Sequence, residues 1–336
     1  MALHILIVAK YPESPSTLLG LTHSLSALQV QGKCTYCVEG LNVKEEAIEE
    51  ADCLVFSRIM DAQLIDIMKK ALKAKKQVFY YIDDKLFDLP EYIVGATYYR
   101  SQEAQDVLKQ FMEQATVVIT CNQWLKEIYE QRFKRNCIVI EPTVYLPEPL
   151  PKRDKQGKLT IGFAGNIDYK QSLEKLKNPL LEIYKNYKKQ IQFEIFGPAI
   201  SYMEPLNAIY YAPTYYDIYE RILRFRQWDI GIALLEDTEF NNFKYYNKYL
   251  EYSRFGIAGV YSNISLYRRV ITHKVNGLLA QNTEEAWYRC LEELITQPAL
   301  RTIILNNSYQ ALQNNFLPNR GAEDFKKLFK AYELLE

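Results

Sequence analysis

Lys244, Lys248, Glu251 and Tyr252 stand at offsets of 0, 4, 7 and 8 within the stretch FNNFKYYNKYLEYSRFGIAGVYS, residues 240–262. On one helix those offsets share a face, so two cations, a carboxylate and a phenol would be presented side by side, a set able to meet an anion. The stretch has no proline, enters behind Asn241 and Asn242, which can cap a helix, and reaches Gly256, a natural stop. The short apolar segment after Gly256 reads as a buried strand that would hold the helix against a sheet. An ordinary solvated helix surface carries the same i,i+4 charge pattern.

Composition limits what the rest of the chain can be. The 336 residues exceed what one core usually fills, so two domains of about 150 residues are expected, and 48% apolar residues suffice to bury both. Basic and acidic residues balance, 41 against 41, which argues against a nucleic-acid binder relying on a broad positive field. Substrate anions must therefore be met locally. No apolar run is long enough for a membrane span, and MALHILIVAKYP is broken too soon by Pro12 for a signal peptide, so a cytoplasmic protein is expected. Cys34, Cys37, Cys53, Cys121, Cys137 and Cys290 form neither a secreted framework nor a zinc pattern and read as small buried side chains. No metal site is expected.

The elements that must position the charged residues alternate. Apolar runs at His4–Ala9, Cys34–Val38, Cys53–Phe56, Val78–Ile82, Val117–Thr120 and Ile138–Ile140 predict strands. Helical patterns at Leu18–Gln29, Asp61–Lys73 and Ser101–Gln114 separate several of them. Such alternation builds a parallel sheet with helices on both faces and a site at the carboxyl ends of its strands. The proline-rich and charged segment Glu141–Lys158 reads as a domain linker, after which a second strand series opens with LTIGFAGN and continues through QFEIFGP, a helix at Tyr215–Phe225 and the strand Ile230–Leu234. No G-x-G-x-x-G follows the first strand, so no nicotinamide or flavin cofactor is signalled. The basic cluster Lys69, Lys70, Lys73, Lys75 and Lys76 closes a helix, where cations complement its dipole; contact with anionic lipid is the alternative. With 27 tyrosines in the chain, Tyr202, Tyr210, Tyr211, Tyr215 and Tyr245 could stack on a ligand, but packing accounts for most.

The run from Trp228 to Trp287 resembles the donor half of the retaining GT-B glycosyltransferases of family 4. The residues that carry the resemblance are Trp228–Ala233, then Lys244, Lys248 and Glu251, then Gly256, then Asn276–Leu279, then Glu284, Glu285 and Trp287. The likeness is close over about a third of the chain and loose over most of the rest. It implies an α/β chain of two Rossmann-like, doubly wound parallel-sheet domains facing a central cleft. Residues 1–150 would bind the acceptor, 151–318 the nucleotide sugar, and a C-terminal helix, 319–336, would cross back to the first domain.

The resemblance also implies roles. Lys244 and Lys248 would be the catalytic cations, neutralising charge that grows on a leaving diphosphate at a helix start. Gly165, Asn166, Lys170, Gly197, Glu251, Tyr252 and Ser262 would bind the donor, Glu251 through ribose hydroxyls. Gly20, Arg58 and the adjacent Asp83 and Asp84 would contact the acceptor; Arg58 and the two carboxylates also fit a purely structural ion pair. The spacing of Asp83 and Asp84 is wrong for a D-x-D metal site, and enzymes of this kind need neither bound metal nor a histidine base, which leaves His4, His23 and His273 out of the chemistry. Asn166 stands where many members have arginine, Phe243 where many have a second glutamate, and Leu234 where proline is usual. The expected activity is retaining transfer of a hexose, from a UDP-sugar most readily, to a cell-surface glycan, lipid-linked or protein acceptor. A catalytically silent GT-B protein that partners an active transferase is the alternative, and the oligomeric state is left open.

Overall fold

The computed structural model describes residues 2–147, 157–165, 170–197 and 201–336. By contacts the chain forms two units. One holds the chain up to Tyr145 together with Phe243–Tyr245 and Asn315–Glu336; the other holds Leu146–Asn242 and Tyr246–Asn314.

The first unit is built on β1 (Leu3–Ala9), β2 (Cys34–Glu39), β3 (Cys53–Ser57), β4 (Gln77–Ile82), β5 (Val117–Thr120) and β6 (Cys137–Val139). They form one sheet in the order β2-β1-β3-β4-β5-β6. Every pairing is parallel. Leu54, Val55, Phe56, Val78, Phe79 and Tyr80 are fully buried, as near-continuous apolar strands must be when helices cover both faces. β2 and β3 leave β1 on opposite sides, so the topological switch point lies at the carboxyl ends of β1 and β3.

The expected helix after β1 starts earlier than its apolar period suggests. Ser14 caps it, with Pro15 at its first turn, and it runs through a π-helical turn, Leu18–Thr22, into the helix His23–Val30. Gly20 sits in that π turn, buried, and a Cβ there would lie 2.1 Å from the Tyr81 hydroxyl. The glycine thus allows the helix to press onto β4. It is not part of an open loop, which corrects its assignment to the acceptor. The helix Pro318–Ala331 lies on His23–Val30 and buries Ala322, Phe325 and Phe329. Gly321 permits that approach, since a Cβ would lie 2.0 Å from Ser24 Oγ.

The second unit repeats the plan with β7 (Leu159–Ala164), β8 (Ile191–Phe196), β9 (Ile209–Tyr211), β10 (Ile230–Ala233), β11 (Ala258–Ser262) and β12 (Leu278–Ala280). The order is β12-β11-β10-β7-β8-β9, again all parallel. β8 and β10 flank β7, so here the switch point lies at the ends of β7 and β10. Trp228 occupies the space that Gly162 leaves open on β7, and its indole Nε1 donates to the fully buried Glu194 at 2.8 Å. Arg226 neutralises the same carboxylate. All six cysteines are free, and five are buried.

The segment after Gly256 is the expected buried strand, β11, but the stretch before it departs from the single helix that its sequence predicts. It forms a short helix, Glu239–Phe243, a break at Lys244–Tyr246, and a second helix, Asn247–Arg254. Asn122 Nδ2 donates to the carbonyls of Phe243 (3.1 Å) and Lys244 (3.5 Å), taking the place of the amides that a continuing helix would supply. Tyr245 and Tyr246 are buried, and the Tyr245 hydroxyl donates to the Pro142 carbonyl. Neither asparagine caps the helix Asn247–Arg254 that follows it. Asn241 Nδ2 donates to the Glu236 carbonyl, and Asn242 Oδ1 accepts from the Leu266 amide.

Candidate functional site

At the switch point of the first sheet, the residues just past β1, β3 and β4 converge. Arg58 follows β3 with φ +55°, a left-handed conformation that costs a non-glycine residue about 1 kcal/mol or more. Its backbone amide donates to the Tyr81 carbonyl at 2.9 Å, and Nη1 reaches Ser16 Oγ at 2.9 Å. The guanidinium pairs with Asp83 at 2.9 Å and Asp84 at 3.6 Å. The ion pair read as one possibility from the sequence is thus present. Burial alone would lower the Arg58 pKa, but the two carboxylates outweigh it and raise it. Burial pushes the Asp84 carboxyl up, against the pull of Lys244 and Arg58. Lys10, directly after β1, pairs with Asp61 at 2.9 Å and lies 4.8 Å from the centre of the Tyr98 ring.

Lys244 belongs to this group and not to the helix that carries Lys248. This corrects the shared face: the break at Lys244–Tyr246 places residues 243–245 in the first unit, beside the loop after β4. Lys248 and Glu251 remain one turn apart on Asn247–Arg254 in the second unit.

In the second unit, Glu251 is the centre of a buried polar cluster. Lys248 Nζ lies 2.5 Å from Glu251 Oε2, the Tyr219 hydroxyl donates to Oε2 at 3.1 Å, and the Tyr216 hydroxyl to Oε1 at 3.4 Å. Side-chain exposure is 5% for Glu251 and 20% for Lys248. Burial first, then the Glu251 charge, pushes both tyrosine hydroxyls well above their ordinary pKa. Behind them Arg254 pairs with Glu220 at 2.8 Å.

Tyr252 is not on this polar face. It is fully buried, its ring fills the space over Gly231, and its hydroxyl donates to the Ile232 carbonyl at 2.7 Å. Ser262 is likewise buried, accepting from the Leu235 amide and donating to Asn282, so it ties the loops after β10 and β12. Both corrections have one cause: an aromatic ring or small hydroxyl beside a sheet gains more from packing and internal hydrogen bonds than from solvent.

Gly165 and Gly197 do come together. The Gly165 amide donates to the Phe196 carbonyl at 3.0 Å, and a Cβ on Gly197, whose φ is +135°, would lie 2.0 Å from the Gly165 carbonyl. Two backbones therefore meet at the carboxyl ends of β7 and β8, where only glycine fits. Phe196 stacks on Tyr211 at 4.4 Å and meets Tyr219 edge-on at 5.1 Å. Asn166 and the side chain of Lys170 lie outside the described residues. His273 Nδ1 accepts from the Leu279 amide at 3.0 Å, which fixes a turn.

Sequence reasoning missed Lys10, Ser16 and Asp61 in the first unit and Tyr216 and Tyr219 in the second. Lys10 directly follows a strand at the switch point, so its position was itself the signal. The two tyrosines had none, because among so many their one-turn spacing does not stand out.

No family model matches the sequence, and no curated protein matches it. Solved structures do. HepE of Anabaena in complex with UDP superposes with a TM-score of 0.67 at 13% identity, covering 98% of this chain and 100% of that one. A glycosyltransferase from Rickettsia africae gives 0.66 at 14%, covering 98% of each chain. Sucrose-phosphate synthase from Thermosynechococcus elongatus gives 0.67 at 12%, covering 98% of this chain and 99% of that one. Two six-stranded parallel sheets, superposed on such structures over nearly their whole length, give this chain the GT-B fold.

Proposed function

We propose that the protein is a glycosyltransferase that moves a hexose from a nucleoside-diphosphate donor, a UDP-sugar, to a glycan, lipid-linked or protein acceptor at the cell surface, with retention at the anomeric carbon and without a metal. The observation that carries this reading is the fold, shared over the whole chain with HepE, a structure of which is in complex with UDP-glucose. Gly165 supports it, since it follows β7, one of the two strands at the second sheet's switch point, where such sheets bind their ligands.

In this reading the anomeric carbon–oxygen bond breaks and negative charge grows on the diphosphate oxygen. Lys248 and Lys244 neutralise that charge, Glu251 accepts from ribose hydroxyls, and Gly165, Asn166, Lys170 and Gly197 lie along the donor. The acceptor proton passes to the leaving diphosphate, so no histidine is needed. Arg58, Asp83 and Asp84 hold the acceptor. The working place is the cytoplasm, with peripheral contact at the inner face of the membrane; no helix among the described residues is long and apolar enough to cross one.

A second reading, a silent partner of an active transferase, is favoured by one observation. Glu251 already receives Lys248 and two tyrosine hydroxyls from its own chain, which leaves less of it for a ribose. Thermal shift with UDP, GDP, TDP and CMP, followed by donor hydrolysis on any hit, separates the two. A bound diphosphate whose sugar is slowly released supports transfer. Stabilisation by none of them moves the weight to the silent reading.

A further inference from the structure

The acceptor's chemical class follows from the charges at the first sheet's switch point, an inference that rests on the transferase reading above. Three cations and three carboxylates meet there. Lys10 pairs with Asp61 at 2.9 Å, Arg58 with Asp83 at 2.9 Å and with Asp84 at 3.6 Å, and Lys244 acts electrostatically on Asp84. The sum is zero, and each cation has a carboxylate of the same chain at hand. A phosphate or other anion on the acceptor would compete with those carboxylates for the charge of Lys10 and Arg58, would compete with the donor diphosphate for that of Lys244, and would meet the carboxylates as like charges.

Uncharged hydroxyls meet no such opposition. An ionised carboxylate has about four acceptor positions. Among the described residues, Asp84 receives the Lys85 amide at 3.3 Å and the Arg58 guanidinium, and its side chain stays 18% exposed. It can take further hydrogen bonds from hydroxyl groups. Asp61 (16%), Lys10 (29%) and Arg58 (31%) are open to similar degrees. Tyr11, the residue after Lys10, has 65% of its surface exposed, and Tyr98, 37% exposed, carries Lys10 over its ring. An aromatic face beside ionised hydrogen-bonding groups matches a sugar ring, which offers C–H groups on its faces and hydroxyls around its edge.

We propose that this face takes the terminal residues of an uncharged saccharide, bound through Asp84, Asp61 and Lys10 with Tyr11 beneath the ring, and that it discriminates against acceptors carrying phosphate near the reacting hydroxyl.

The test is saturation-transfer NMR on the full chain with neutral di- and trisaccharides ending in glucose, galactose, mannose or N-acetylglucosamine, each beside its terminal 6-phosphate. UDP binding is measured on the same samples. At least one neutral saccharide should bind at least about fivefold more tightly than its phosphate. Tyr11→Ala and Asp84→Ala should each weaken it by roughly tenfold, the scale of one charge-assisted hydrogen bond or ring contact. Tyr11 is exposed, so its variant serves where Asp84→Ala fails to fold. Tighter binding of the phosphates, or unchanged affinity in Tyr11→Ala, overturns the proposal. If UDP binds but no saccharide does, the proposal fails and the transferase reading stands. Saccharide binding without UDP binding upholds the proposal for a carbohydrate-binding protein and removes the transferase.

Discussion

Removing both partners of the Lys248–Glu251 pair should cost no more than breaking it from one side. The two atoms are 2.5 Å apart, with Glu251 5% and Lys248 20% exposed. Losing one partner of a buried pair costs about 3–5 kcal/mol, because the survivor is left charged and unpaired. The partial exposure of Lys248 lets water reach a stranded ammonium, so Glu251→Gln belongs at the low end, about 3 kcal/mol. Lys248→Met strands a carboxylate that still receives two tyrosine hydroxyls and should cost about 2 kcal/mol. Independent effects would sum to about 5 kcal/mol, whereas the double variant should lose only about 2 kcal/mol, a coupling of about 3 kcal/mol. For a unit of this size, 3 kcal/mol lowers the melting temperature of its transition by roughly 6–12 °C. The assay is a double-mutant cycle by calorimetry, which resolves two unfolding units where a single-transition fit would not. Additive losses, or a Glu251→Gln variant within about 0.5 kcal/mol of wild type, would refute the buried pair.

Lys244→Ala and Lys248→Ala should each reduce turnover by roughly 10²-fold once a donor is identified, as for other preorganised charge contacts; wild-type rates in a donor-consumption assay would remove both from the chemistry. Asp84→Asn should stabilise the protein more at neutral than at acid pH. Burial raises this carboxyl in the folded state, so its contribution to stability is present below its ordinary pKa and is lost as pH rises through the raised value. Melts at pH 4.5 and 7.5 that differ equally from wild type would contradict that sign. Gly20→Ala should cost about 1–3 kcal/mol, because its methyl would meet the Tyr81 ring and hydroxyl; chemical denaturation reads this directly.

Ten of the twelve strands named above were legible because each is a short apolar run with turn residues at its ends, and such runs alternating with helices fix a parallel architecture almost by themselves; β9 and β12, three residues each, did not stand out. The break at Lys244–Tyr246 was not. It carries no proline or glycine, and what ends the helix is the Asn122 amide, more than a hundred positions away in sequence. Arg58, Asp83 and Asp84 could be read as a group because each follows a strand. Tyr252 could not be placed on its spacing, since helical periodicity says which residues share a face but not whether a sheet covers it, and Ser262 could not be placed because its partners, Leu235 and Asn282, lie in loops after two other strands. Gly20 was visible as a glycine, yet its reason lies in Tyr81 on a strand some sixty residues later.

The return of Asn315–Glu336 to the first unit also bears on how the chain is made. A ribosome releases the chain up to Tyr145 long before the helix that covers His23–Val30, with about 170 residues still to be added, a delay of roughly 10–30 s at ordinary elongation rates. During that interval the surface that later receives Ala322, Phe325 and Phe329 lies bare in the nascent chain. The first unit to be translated is therefore the last to be finished, and its window of exposure is set by the synthesis time of the second.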